Sequence, residues 1–219
     1  MAPVDAARAI GRVSARLGES GLILRGGFDF GPDEAAPARA VLLVGHGGAG
    51  YWGHFEDWHR ENGQVADPLD AWSRYVINSV ASEAGAQAVY PSDKPYVPFQ
   101  QWAMRAEGLK PSPLGILMHP EFGLWHAYRG ALLFDRALAP GEAQHARHIC
   151  DECTKKPCLT TCPVGAFGAD GYDVEACRGH VRGEDAACRL HGCLARNACP
   201  HDAYRYPAKV QAYHMAAFV

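Results

Sequence analysis

All eight cysteines of this 219-residue chain fall between Cys150 and Cys199. This constrains folding more than any other feature of the sequence. A segment of roughly 50 residues is too short to bury an adequate apolar core, so it has to be held by cross-links or by metal. Compartment decides between the two. The N-terminal MAPVDAARAIGRVSARLGESG has no continuous apolar stretch of the signal-peptide kind. No run approaches the ~18 apolar residues of a membrane span. A reducing, cytoplasmic setting without a membrane partner is therefore expected, where clustered thiols act as metal ligands rather than disulfides. A net charge of −3 argues against a nucleic-acid partner.

The spacings indicate which metal. The first run is Cys150-x2-Cys153-x4-Cys158-x3-Cys162-Pro163, and the second is Cys177-x10-Cys188-x4-Cys193-x5-Cys199-Pro200. A thiolate-rich set that ends in Cys-Pro is the pattern used by iron–sulfur clusters, and in two-cluster ferredoxins the cysteine before the proline crosses over to the other cluster. By that rule one [4Fe–4S] cluster takes Cys150, Cys153, Cys158 and Cys199, and the other takes Cys162, Cys177, Cys188 and Cys193. Gaps of four, ten and five residues replace the usual two. Two structural zinc sites are the alternative, since zinc also accepts four thiolates. The paired Cys-Pro endings, each followed by a short tail (VGAF, HDAY), favour iron.

The preceding part reads as alternating helices and strands. Ile10, Val13 and Leu17 share one face of a first helix, and GLILR, RAVLLVG, QAVYP and YRGALLF read as strands. Asp67-Pro68 opens a helix that closes on Gly85, and FQQWAMRAEG reads as a shorter one. That alternation predicts an α/β or α+β sandwich. The change in composition predicts domains at 1–145 and 146–219.

One block carries more than pattern. Gly115, His119, Pro120, Phe122, Gly123, Trp125, Ala127, Arg129 and Gly130 match a stretch found in the cobalamin-processing CblC family, which the first part resembles; Leu124 departs from it. Asp67-Pro68, Asp70 and the strand AVLLVGHGG fit the same resemblance more loosely. The resemblance implies a flavin-reductase-like (nitroreductase-type) α+β sandwich that binds cobalamin base-off. Gly115 would admit the corrin close to the backbone, and Phe122 and Trp125 would line its pocket with His119. The family's counterpart of Arg129 helps hold glutathione, but the basic tail residues that assist it have no counterpart here. Arg129 could instead bind a propionamide or a substrate anion, or pair with a carboxylate. His119 is either fixed in its turn by its own hydrogen bonds or a proton donor. Tyr128 is the other candidate acid, ahead of Tyr51 and Asp70.

The second part resembles the ferredoxin domain that follows a cobalamin domain in epoxyqueuosine reductases, through Cys162–Ala166, Cys177 and Cys199-Pro200. Together these resemblances imply an oxidoreductase in which two [4Fe–4S] clusters, charged by a low-potential donor, pass electrons to base-off cobalamin. The outcome would be decyanation, dealkylation or a cobalamin-dependent reduction. The alternative is a ferredoxin-type electron carrier whose first domain has lost the corrinoid.

Several weaker signals read as structural. GHGGAG fits G-x-G-x-x-G at Gly45, Gly47 and Gly50, but YWGHFEDWHRENG after it is a poor crossover helix, so a loop or turn is expected. His59 lies one residue out of register with a cobalt-binding motif and reads as surface. His145 and His148 read as solvated.

Overall fold

The computed structural model describes residues 3–141, 143, 147–168 and 171–219. His145 lies outside the described residues. The chain divides into two compact units: Met1–Gly108 with Ala127–His145, and Leu109–His126 with Ala146–Val219. One boundary between the units falls at 145/146. A single cut there does not separate the units, however, because 109–126 belongs with the cysteine-bearing part.

In the first unit, α1 (Pro3–Gly18) buries Val13 and Leu17, as its periodicity predicts. The strands β1 (Ile23–Asp29) and β2 (Ala40–Gly47) pair antiparallel, Ile23 opposite Gly45 and Asp29 opposite Ala40. β2 is buried from Ala40 to His46 and is apolar through Val44, as expected of a central strand covered on both faces. α2 (Trp52–Asn62) follows, then α3 (Pro68–Ala84), β3 (Gln87–Val89) and α4 (Phe99–Glu107). The chain then enters the second unit with β4 (Lys110–Pro111) and β5 (Leu117–Met118), which pair with each other. β6 (His126–Phe134) completes the first unit's sheet, in the order β1-β2-β6-β3. The Arg39 amide donates to Phe134, while Gly45 lies against Ala127, so β2 and β6 also run antiparallel.

The fold is therefore α+β with antiparallel sheets. α2 corrects the reading of this stretch as a poor helix: Trp52 and Phe55, three residues apart, are both buried, and the His59 ring stacks on Phe55 at 5.6 Å. The aromatics that seemed to spoil this helix are its packing face. Gly45 serves the sheet rather than a phosphate, because a Cβ there would lie 2.1 Å from the Ala127 carbonyl oxygen. Asp67 stands at the start of α3 as predicted, but caps it with its main-chain carbonyl, which accepts from Asp70 and Ala71 at 2.9 and 3.0 Å.

Short elements make up the second unit: α5 (Ile149–Glu152), α6 (Pro157–Thr160), the hairpin β7 (Phe167–Gly168) and β8 (Gly171–Tyr172), α7 (Val174–Arg182), α8 (Ala187–His191), α9 (Leu194–Asn197) and α10 (Ala208–Ala217). Its apolar centre is small, formed by Leu114, Met118, Leu124, Ala195 and Cys199, with Cys150, Cys158, Cys162 and Cys193 packed against it. Among the described residues no helix is long and apolar enough to cross a membrane.

Candidate functional site: two sets of four thiols

Cys150 sits on α5, Cys153 just after it, Cys158 on α6 and Cys199 after α9. These four thiols line one pocket with Ser112, Met118, Leu124, Lys156 and His201. Burial pushes the Cys150 thiol up to about 11, and repulsion from Cys199, Cys158 and Cys153 adds to the shift, with Lys156 opposing it. Cys158 and Cys199 are raised for the same first reason, and each is also raised by Cys153.

The other four form a second group. Cys188 is raised by burial and then by Cys162 and Cys177, and Cys193 by burial and then by Cys188 and Cys177. Tyr172, at the end of the β7–β8 hairpin, has its hydroxyl raised by burial and by Cys177, Cys193 and Cys162. Cys162 thus acts on thiols of the second run, and Cys199 lines a pocket with thiols of the first.

Main-chain amides point at these sulfurs. The Ala166 N–H donates to Cys162 Sγ at 3.3 Å. Amides of Leu159, Leu194, Arg196 and His201 serve Cys158, Cys188, Cys193 and Cys199. Such bonds favour the thiolate and, where the sulfurs hold a cluster, help set its potential. Asp173 caps α7 by accepting from the Ala176 amide at 2.9 Å, which fixes the first turn that carries Cys177. Among the described residues, no three or more of His, Cys, Asp and Glu stand close enough to hold one metal ion. The donor chemistry, two groups of four thiols served by amides, fits a thiolate-ligated [4Fe–4S] cluster in each group.

The residues expected to line a corrin pocket are divided between the two units. Gly115, His119, Phe122 and Trp125 belong to the second unit, and Arg129 to the first. Trp125 has no exposed surface to offer a ligand. The Arg196 guanidinium lies 4.4 Å from its ring centre, and Tyr206 meets it edge-on at 5.3 Å. Gly115 takes φ 76° in an exposed turn with nothing near its Cβ position. His119 Nδ1 accepts from the Glu121 and Phe122 amides at 3.0 Å each, and its ring stacks on Phe122 at 4.3 Å. Of its two predicted roles, the geometry shows the turn-fixing one.

Arg129 meets the carboxylate-pairing expectation. Nε donates to Ser73 at 2.9 Å and Nη2 to Asp70 at 2.6 Å. Tyr128 donates to Glu107, and burial raises its hydroxyl far above the ordinary range, which makes it a poor acid. Its partner Glu107 makes two 2.9 Å bonds with Arg25, which is 1% exposed. Sequence reasoning missed this buried pair. The available signal was an arginine inside the otherwise apolar strand stretch GLILRGG.

Fold and thiol arrangement together define an α+β protein with a cysteine-rich second unit. No protein-family model matches the sequence, and no curated protein does. Among solved structures, epoxyqueuosine reductase from Streptococcus thermophilus is similar at 14% identity and a TM-score of 0.48, over 75% of this chain and 50% of that one. The chain thus spans about half the length of that enzyme.

Proposed function

We propose that this protein is a two-cluster iron–sulfur electron-transfer protein acting as, or within, an oxidoreductase. Cys150, Cys153, Cys158 and Cys199 hold one [4Fe–4S] cluster, and Cys162, Cys177, Cys188 and Cys193 hold the other. The observation that carries this reading is the sorting of eight thiols into two groups of four across the sequence order. Bound clusters supply one-electron redox chemistry. The protein's own contribution is to hold the thiols, exclude water with Leu124, Met118 and Ala195, and direct amides at the sulfurs.

The acceptor follows from a second reading, favoured by the His119–Gly130 block: a base-off corrinoid, reduced by electrons delivered through the clusters. Full burial of Trp125 and the Asp70–Arg129 pair weigh toward the simpler carrier. One experiment tests both. Anaerobic reconstitution should yield about eight iron and eight sulfide per chain, with reduced-cluster electron paramagnetic resonance signals. Zinc without sulfide would overturn the iron–sulfur reading. Hydroxocobalamin is then titrated in; a saturable base-off spectral shift establishes the corrinoid acceptor, and its absence at micromolar protein leaves the carrier.

A further inference from the structure

Lys156 stands out among the residues around the first thiol group. It is the only lysine, arginine or carboxylate among the described residues lining the pocket of Cys150, Cys153, Cys158 and Cys199. Its backbone is left-handed, φ 37° and ψ 57°, a conformation uncommon outside glycine. That turn opens α6: the Lys156 carbonyl accepts from the Leu159 amide at 3.0 Å, which places Cys158 at the second position of the helix. Nearby Glu152 is already paired with Arg147, and among the described residues no carboxylate pairs with the Lys156 ammonium. An unpaired cation thus flanks four thiols in a pocket whose other walls are largely apolar. A glycine would serve the backbone better, so the turn alone does not account for a lysine here.

Resting on the cluster assignment above, we infer that Lys156 is an electrostatic tuning residue of the first cluster. A cation beside a thiolate-bound cluster stabilises the more negative, reduced state and raises its midpoint potential. The second cluster, bound by Cys162, Cys177, Cys188 and Cys193, receives no such charge from Lys156. The two centres therefore respond differently when Lys156 is neutralised.

The test is a spectroelectrochemical titration of the reconstituted full-length protein, followed by electron paramagnetic resonance, for wild type, Lys156→Gly, Lys156→Gln and Lys156→Arg. Glycine relieves the left-handed strain, so loss of folding does not confound that variant; glutamine keeps the stem without the charge. The expected result is a negative shift of one midpoint in Gly and Gln, an unmoved second midpoint, and restoration in Arg. Raising the salt concentration should shrink the difference, because an exposed charge is screened. Unmoved midpoints in Gly and Gln, or a shift in Arg as large as in Gly, overturn the role of Lys156 and leave the cluster assignment standing. A wild-type protein without sulfide overturns both.

Discussion

The first unit buries an apolar strand, β2, among helices and can hold a charged pair in its interior, whereas the second packs four of its eight thiols beside a small apolar cluster of Leu114, Met118, Leu124, Ala195 and Cys199. The contrast shows two ways of meeting the entropy cost of folding. Where the chain is long enough, burial of hydrocarbon suffices. Where elements run to four or five residues, as in α5, α6, α8 and α9, helix propensity contributes little, and under the proposed function cross-linking through bound metal would replace it. The raised Cys150 thiol agrees: without metal it prefers its proton, so ligation must displace protons from a site that repels thiolates.

The largest test of this contrast is removal of the proposed clusters by chelation under oxidising conditions. Structural metal sites contribute on the order of 10 kcal/mol to folding. Residues 109–126 and 147–219 should therefore lose amide protection in hydrogen-exchange mass spectrometry while β1, β2 and α3 keep theirs. Uniform loss across both units would break the comparison. Next come single side chains, one from each unit. Trp125→Ala should cost about 3–5 kcal/mol in the cluster-loaded protein, and Arg25→Met a similar 3–5 kcal/mol by stranding Glu107. After cluster removal the Trp125 effect should vanish from urea titrations while the Arg25 effect persists. Gly45→Ala should cost about 1–3 kcal/mol, since the new methyl meets the backbone of β6. Smallest is Asp173→Ala, expected to cost about 1 kcal/mol through loss of the α7 cap, read as easier release of iron rather than a shift in the first unit's unfolding.

Much of this was legible from the residues. Hydrophobic periodicity located α1, α3, α4 and the main strands, because those signals are local. A crossed assignment of Cys162 and Cys199 could be proposed from the residues because Cys-Pro carries a crossover rule. The stretch Trp52–Asn62 reads as a poor helix because the packing role of its bulky aromatics is hidden until the surface they cover is known. Arg25 and Glu107 stand 82 positions apart, and no local pattern announces such a pair. The membership of 109–126 was hidden for the same reason: Leu114, Met118 and Leu124 look like any apolar residues until Ala195 and Cys199 are seen against them. Trp125 was read through its neighbours in sequence, whereas its environment is supplied by Arg196 and Tyr206.

The strand of chain from Leu109 to His126 has a bearing on how such a molecule is inherited and engineered. Since the polypeptide passes from one unit to the other at 108/109, 126/127 and 145/146, neither half is a cassette. A recombination event or a designed fusion joined at residue 145 would transplant the thiols without Leu114, Met118 and Leu124, delivering the ligands but not the wall behind them. A transplant that keeps the wall with the ligands has to carry both segments of the second unit, 109–126 and 146–219.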